Sequence, residues 1–229
     1  MPHLHLNIEQ QQYGDKVVLQ NISQEYEAAK IHGFLGENGA GKTTLFHCMA
    51  NMLQYKGARM FPEKIRFGYL PTELYMYPKI SGDEFLNFFV TAKGQAFDVG
   101  EKQSLNELFD LPLNEYADTY STGMLKKLYL MGLLLQHNEI LLLDEPFNGL
   151  DFKTSAMMTV LIKSYKEKGF TVFVSSHDME HLFSYADTLS VLSERGMTFY
   201  PDRESFCIVR ENIEAEAEKK VRNISVFRK

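Results

Sequence analysis

Cysteine is scarce: the 229 residues hold two, Cys48 and Cys207. Two thiols cannot build the bridge framework of a small secreted domain, which points to free thiols in a reducing compartment. Positive charge is outnumbered, with 24 Lys and Arg against 30 Asp and Glu for a net charge of -6. No global basic field exists to draw nucleic acid, and no nucleic-acid partner is expected. Long apolar runs are missing too. The longest, Leu128 to Leu135, is far too short to cross a bilayer. Any membrane role must therefore come through a partner. The opening residues, MPHLHLNIE, lack the basic and apolar regions of a signal peptide. No repeat or low-complexity linker divides the chain. What remains is ordinary soluble composition, 45% hydrophobic and 24% charged, on a length that buries a large core. One α/β domain, plain or with an inserted lobe, fits those bounds.

The stretch Gly36-Glu37-Asn38-Gly39-Ala40-Gly41-Lys42-Thr43-Thr44 meets every fixed position of the phosphate-binding pattern G-x-x-x-x-G-K-[ST]. Its context agrees, with a buried strand expected over 30–35 and a helix over 43–53. Gly39 and Gly41 let the backbone curl around a phosphate chain without Cβ clashes. The following helix aims free amides and its positive dipole end at the same anion. Lys42 has the reach for β- and γ-phosphates, and the Thr43 hydroxyl is the expected ligand for Mg²⁺. The stretch predicts binding of a nucleoside triphosphate such as ATP.

Around it, alternation over His3 to Ile8 predicts a half-buried strand. A turn at Tyr13-Gly14-Asp15 leads to a second strand over Lys16 to Ile22, and Lys64 to Leu70 reads as a strand stopped by Pro71. The character then changes. Ser81-Gly82-Asp83-Glu84 is a capping box ahead of a helix from Phe85 to Ala92. A second helix is expected over Glu101 to Phe109, and a third, capped by Ser121, runs through Gln136. This helical stretch, residues 72–137, reads as a lobe inserted into an α/β core of residues 1–71 and 138–229. Beyond it, Ile140 to Leu143 is a buried strand, Phe152 to Lys168 a helix, and Phe170 to Ser175 a strand. Asp178 to Tyr185 reads as a helix, and a hairpin is expected across Glu194-Arg195-Gly196. Glu211 to Val221, with Ile213, Ala217 and Val221 four apart, reads as a solvated helix lying on the core.

Two further clusters carry chemistry. Asp144, at the tip of the apolar strand before Pro146, can hold Mg²⁺ directly or through water. Glu145 beside it can polarise an attacking water. His177, at the end of the next strand after Ser175-Ser176, is placed to touch a γ-phosphate and sense its loss.

Taken together and in this order, the motifs resemble the ATP-binding subunit of an ABC transporter. GENGAGKTT matches the Walker A loop, ILLLDEP (140–146) the Walker B strand with a catalytic Glu145, and Asn148-Gly149-Leu150-Asp151 the D-loop. Ser176-His177 resembles the switch histidine. Tyr120-Ser121-Thr122-Gly123-Met124 falls at the signature loop, usually L-S-G-G-Q, and Tyr13 at the aromatic that stacks on adenine. The resemblance implies a P-loop ABC-type ATPase core with N-terminal antiparallel strands and an inserted helical lobe. It implies ATP contacts by Tyr13, Gly36, Glu37, Asn38, Gly39, Ala40, Gly41, Lys42, Thr43, Thr44, Ser121 and Gly123. Mg²⁺ would be held by Thr43 and Asp144, and catalysis carried by Glu145, His177 and Lys42. It also implies an integral membrane transporter subunit as partner, and a homodimer or heterodimer in which Ser121 closes over the other subunit's ATP. Such a chain would work in the cytoplasm, peripheral on the cytoplasmic face of the membrane.

The sequence departs from the pattern at Thr122 and Met124 of the signature. It departs again at Thr72, where the family usually has a Gln joining the Mg²⁺ site to the helical lobe. The Y-S-x-G-M signature resembles exporter families, so export is the expected direction. A soluble ABC-type ATPase in DNA repair, chromosome maintenance or translation is the alternative, although its usual coiled-coil insertions, zinc cysteines and paired cassettes are missing. A nucleotide-binding subunit with little activity is a third.

Overall fold

The computed structural model describes residues 3–61, 65–96, 98–193 and 196–222. Two sheets organise them. β1 (His3–Tyr13) and β2 (Lys16–Glu27) form a hairpin, and β4 (Lys56–Met60) adds to β1, giving a three-stranded antiparallel sheet ordered β2-β1-β4. Both hairpin strands run longer than their alternation suggests, because each keeps pairing with the other past its apolar stretch. The second sheet takes the order β5-β6-β7-β3-β8-β9. It comprises β3 (Ile31–Leu35), β5 (Phe67–Leu70), β6 (Ile140–Asp144), β7 (Thr171–Ser176), β8 (Thr188–Ser193) and β9 (Gly196–Tyr200). All neighbours pair in parallel except β8 and β9, which form the expected hairpin. Lys64, at the start of one expected strand, and Glu194 and Arg195, in the expected hairpin turn, lie outside the described residues.

Strands β3, β6 and β7 are buried along their whole length, as apolar strands of a parallel sheet covered on both faces must be. Alternation divides their side chains between two cores. Leu141 and Leu143 of β6 join Ile31, Val172 and Val174 on one face, where Leu128, Met131, Met158 and Leu182 cover them. Ile140 and Leu142 join Phe34 and Phe173 on the other, under Leu45, Phe46, Leu6 and Ile22.

Side-chain caps set the starts of five of the helices, while the first begins at a glycine. α1 (Lys42–Met49) follows the P-loop and ends sooner than its apolar pattern, since Asn51 turns left-handed at φ 59. α2 (Gly82–Thr91) carries the expected capping box: the Ser81 N–H donates to Glu84 Oε2 at 2.8 Å and the Glu84 N–H to Ser81 Oγ at 3.2 Å. α3 (Val99–Phe109) is capped by Asp98 and α4 (Thr122–Leu135) by Ser121. α5 (Phe152–Glu167) and α6 (Met179–Tyr185) are capped by Asp151 and Asp178. The three helices α2, α3 and α4 form a lobe inserted between β5 and β6. α7 (Phe206–Arg222) packs on the core through Phe206 and Val209, whereas residues 211–222 are solvated as expected but do not lie on the core, with Ile213 and Val221 exposed. Cys48 is a buried thiol and Cys207 an exposed one, with no disulfide among the described residues.

Candidate active site

Register brings the site together. Leu35 pairs with Ser176, and Ser175 pairs with Asp144, so β3, β7 and β6 end level at one edge of the sheet. The P-loop, Glu145 and His177 leave the strands there. Ligand sites in parallel α/β sheets form beyond the carboxyl ends of the strands, and this edge is one.

The P-loop backbone is shaped for a close anion. Gly39 and Gly41 sit at φ 86 and 100, where L side chains are strained, and a Cβ on Gly41 would meet Leu19 at 2.9 Å. Gly41 is also the cap residue of α1 and has no side chain to satisfy the first-turn amides. Those N–H groups, at the positive end of the helix, are donors suited to phosphate. Lys42 is buried in the loop, its Nζ donating to the Gly36 carbonyl at 2.7 Å and the Glu37 carbonyl at 3.3 Å. It also lies 3.1 Å from Glu145 Oε1. Two of its three ammonium hydrogens go to those carbonyls, and Oε1 takes no hydrogen bond, so the contact with Glu145 is one of charge.

Both oxygens of buried Asp144 accept hydroxyls. Thr43 donates to Oδ2 at 2.6 Å, and Ser175 donates to Oδ1. A threonine hydroxyl against a buried carboxylate is a hard, all-oxygen donor set of the kind Mg²⁺ takes, leaving its other positions to water and phosphate. Glu145 adopts left-handed backbone at φ 49, a conformation that costs a non-glycine residue about 1–3 kcal/mol and needs a surrounding framework. The framework is visible. The Glu145 N–H donates to Ser175 Oγ at 2.9 Å, and the Glu145 carbonyl accepts from Lys126 Nζ at 2.8 Å. Its other carboxylate oxygen lies 3.0 Å from His177 Nδ1. Contact is thus continuous from Thr43 through Asp144 and Ser175 to Glu145, and on from Glu145 to Lys42 and His177.

The residue order and this geometry have a known counterpart. The family model described as ABC transporter matches residues 19–148. The chain belongs to the ABC transporter family. An uncharacterized ABC transporter ATP-binding protein of Methanocaldococcus jannaschii is 32% identical over 200 residues, spanning 85% of this chain and 76% of its own length. The bacitracin transport ATP-binding protein of Enterococcus faecalis is 31% identical over 199 residues, covering 80% of this chain and 64% of itself. The manganese transport system ATP-binding protein of Listeria monocytogenes is 26% identical over 211 residues, covering 85% and 88%. A solved ATP-binding subunit of an ABC transporter superimposes with a TM-score of 0.76 at 22% identity, over 83% of this chain and 86% of that one. The protein is an ATP-binding subunit of the ABC type, with a P-loop ATPase fold. No helix among the described residues is long and apolar enough to cross a membrane.

Other residues singled out in the sequence lie further off. Tyr13 stands half-exposed at the tip of the hairpin, paired with Lys16, while Val18 and Leu19 of the next strand flank Gly41. Ser121 accepts from the Met124 N–H at 3.3 Å, and the Cβ position of Gly123 faces Leu150. Their partners are thus their own helix and the 148–151 loop rather than the P-loop of the same chain. Thr72, at the position where the family usually has a Gln, donates to the Asp144 main-chain carbonyl at a long 3.4 Å. Sequence patterns overlook two members of the site. Ser175 is one of three small polar residues in β7, with Thr171 and Ser176, and nothing in the pattern singles it out. Lys126 is buried on the same helical stripe as Leu130 and Leu133, and a lysine at such a position is its own signal. Burial lowers the Lys126 pKa to about 8, against the pull of Glu145 and Asp144, so its ammonium is retained at neutral pH.

Proposed function

We propose that this chain hydrolyses ATP to drive a membrane-embedded partner, closing and opening as a dimer of two such subunits. The observation that carries the reading is the convergence of Lys42, Thr43, Asp144, Glu145 and His177 at one sheet edge. Residues 36–44 cradle the phosphates, with Lys42 facing the β/γ end. Thr43 and Asp144 would hold Mg²⁺, which would offset charge on the phosphates. Glu145 orients the attacking water and accepts its proton, and His177 steers the Glu145 carboxylate. The Lys42–Glu145 contact gives an order of events: phosphate draws Lys42 off Glu145, which frees Oε1 for water.

Tyr13 supplies a face for adenine. Ser121 and Gly123, whose contacts are with their own helix and the 148–151 loop, serve the nucleotide of the other subunit, which makes two composite sites between two copies. Residues 72–137 form the lobe that meets the membrane subunit, placing the chain at the cytoplasmic face of the membrane. Export is the direction we favour, on the Y-S-x-G-M signature. Names among the relatives speak of bacitracin transport and of manganese transport, so the cargo is set by the partner.

Glu145→Gln tests the catalytic assignment. ATP binding should persist while turnover falls about 10²–10⁴-fold, the usual worth of a general base. Turnover by Glu145→Gln at the unmutated rate would remove Glu145 from the chemistry.

A further inference from the structure

Among the described residues Lys126 makes no hydrogen bond or ion pair to a side chain, and the carboxylates of Glu145 and Asp144 act on its charge only at longer range. It is 1% exposed in the second turn of α4, and its Nζ donates to two main-chain carbonyls, Glu145 at 2.8 Å and Asn148 at 2.6 Å. A buried ammonium costs more to desolvate than an apolar residue of similar length, so packing alone does not account for it. What the charge supplies is a pair of donors aimed at one turn. That turn begins at left-handed Glu145, whose carbonyl also accepts the Asn148 N–H at 3.3 Å, and continues into the loop over residues 148–151. The backbone of Glu145 is therefore gripped on both of its peptide groups: Ser175 takes its N–H and Lys126 its carbonyl. The same α4 starts at Ser121, and its first turn packs on the same loop, with the Cβ position of Gly149 3.6 Å from Thr122 Cγ2.

We infer that Lys126 is a positioning residue for Glu145, tying the helix that starts at Ser121 to the catalytic turn of the same chain. The inference rests on the ATPase reading given above and adds a route to it. A shift of the Ser121 end of α4, where the other subunit's nucleotide is to bind, moves Lys126 and with it the carbonyl that fixes Glu145. Each subunit thereby reads the occupancy of its neighbour's site through its own lysine. The Lys126 ammonium donates to the catalytic turn and not to the P-loop, so its loss should disturb turnover and spare binding.

The test compares the unmutated chain, Lys126→Met, Lys126→Arg, Glu145→Gln and the Lys126→Met/Glu145→Gln double variant, each checked for folding by thermal melting. Steady-state ATPase gives kcat and KM, and a fluorescent ATP analogue gives affinity. Lys126→Met should lose about 10²-fold in kcat, the scale of a reacting group displaced by about 1 Å, with KM and affinity within about twofold. Lys126→Arg, which keeps the charge and several donors, should recover most of the loss. The double variant should be no slower than Glu145→Gln alone, since both changes act through one carboxylate. Should Lys126→Met fail to fold, Lys126→Gln, with a neutral amide that still donates, takes its place and is held to the same kcat and KM criteria. Full kcat in a folded Lys126→Met chain, a matching loss of affinity, or multiplying losses in the double variant would each overturn the inference. Failure of the ATPase reading looks different: the unmutated chain would then show no turnover, and failure of the Glu145 assignment would show as normal turnover by Glu145→Gln whatever residue stands at 126.

Discussion

His32 provides a sharp test of how the central strand is held. It lies in β3, the strand that delivers the P-loop, and is buried between Tyr26 and Phe173, stacked on the latter at 4.9 Å. Its Nε2 sits 2.8 Å from the Glu27 carbonyl and its Nδ1 2.8 Å from Thr188 Oγ1. A carbonyl only accepts, so Nε2 carries the proton and Nδ1 accepts from the threonine. Burial drives the His32 pKa from 6.5 down to about 4, although Glu27 and Asp187 pull the other way; Lys30 adds to the lowering. The folded chain therefore holds a neutral imidazole that the unfolded chain protonates near pH 6.5. This contribution to stability is complete above that pH and is lost as pH falls through about 4. A shift of about 2.5 units at 1.36 kcal/mol each makes it about 3 kcal/mol. The chain has no tryptophan, so far-UV circular dichroism in urea is the suitable probe. His32→Gln keeps an N–H for Glu27 and cannot titrate. Its stability at pH 7.5 should be lower, yet between pH 6.5 and 4 it should fall less steeply than that of the unmutated chain. The difference in slope should be about 1.4 kcal/mol per pH unit. Parallel curves would show that His32 does not titrate differently in the two states, and the reasoning would fail.

Tyr13→Ala should weaken ATP binding by about 1 kcal/mol, and Tyr13→Trp should preserve it, because any large aromatic face stacks on a purine. Titration with a fluorescent ATP analogue reads both, and equal affinity for all three chains would return Tyr13 to a structural role. Thr72→Ala should leave the Mg²⁺ dependence of turnover nearly unchanged, since the Thr72 hydroxyl reaches the Asp144 carbonyl and not its carboxylate. A large rise in the Mg²⁺ requirement would show instead that the threonine ligates the metal.

Much of this architecture is legible in the sequence because apolar runs, caps and the P-loop are local signals. Ser81 and Ser121 cap the helices they are expected to cap, and Ile140 to Leu143 reads as the buried strand it is. Less legible is whatever depends on distant pairing. The strand Lys56–Met60 shows no alternation to mark it and exists because β1 offers a free edge. The left-handed turn at Asn51 shortens α1 without altering its apolar pattern. The site divides in the same way. Lys42, Thr43, Asp144, Glu145 and His177 are found by motif and order. The clamp on Glu145 needs Ser175 and Lys126, whose contacts reach across 30 and 19 residues and leave no periodic trace.

The central claim is that two copies share each nucleotide, and mixing two damaged chains addresses it most directly. Ser121→Arg should leave a sound P-loop but spoil the site it shares with a neighbour. Lys42→Ala should lose its own ATP while still presenting an intact Ser121. Each variant alone carries two defective sites and should be nearly inactive in steady-state ATPase assays. Dissociated, mixed and allowed to reassociate, they should form heterodimers with one intact composite site and one doubly damaged site, and ATPase activity should return in part. Full activity and ATP-dependent dimerisation in Ser121→Arg alone would contradict the account.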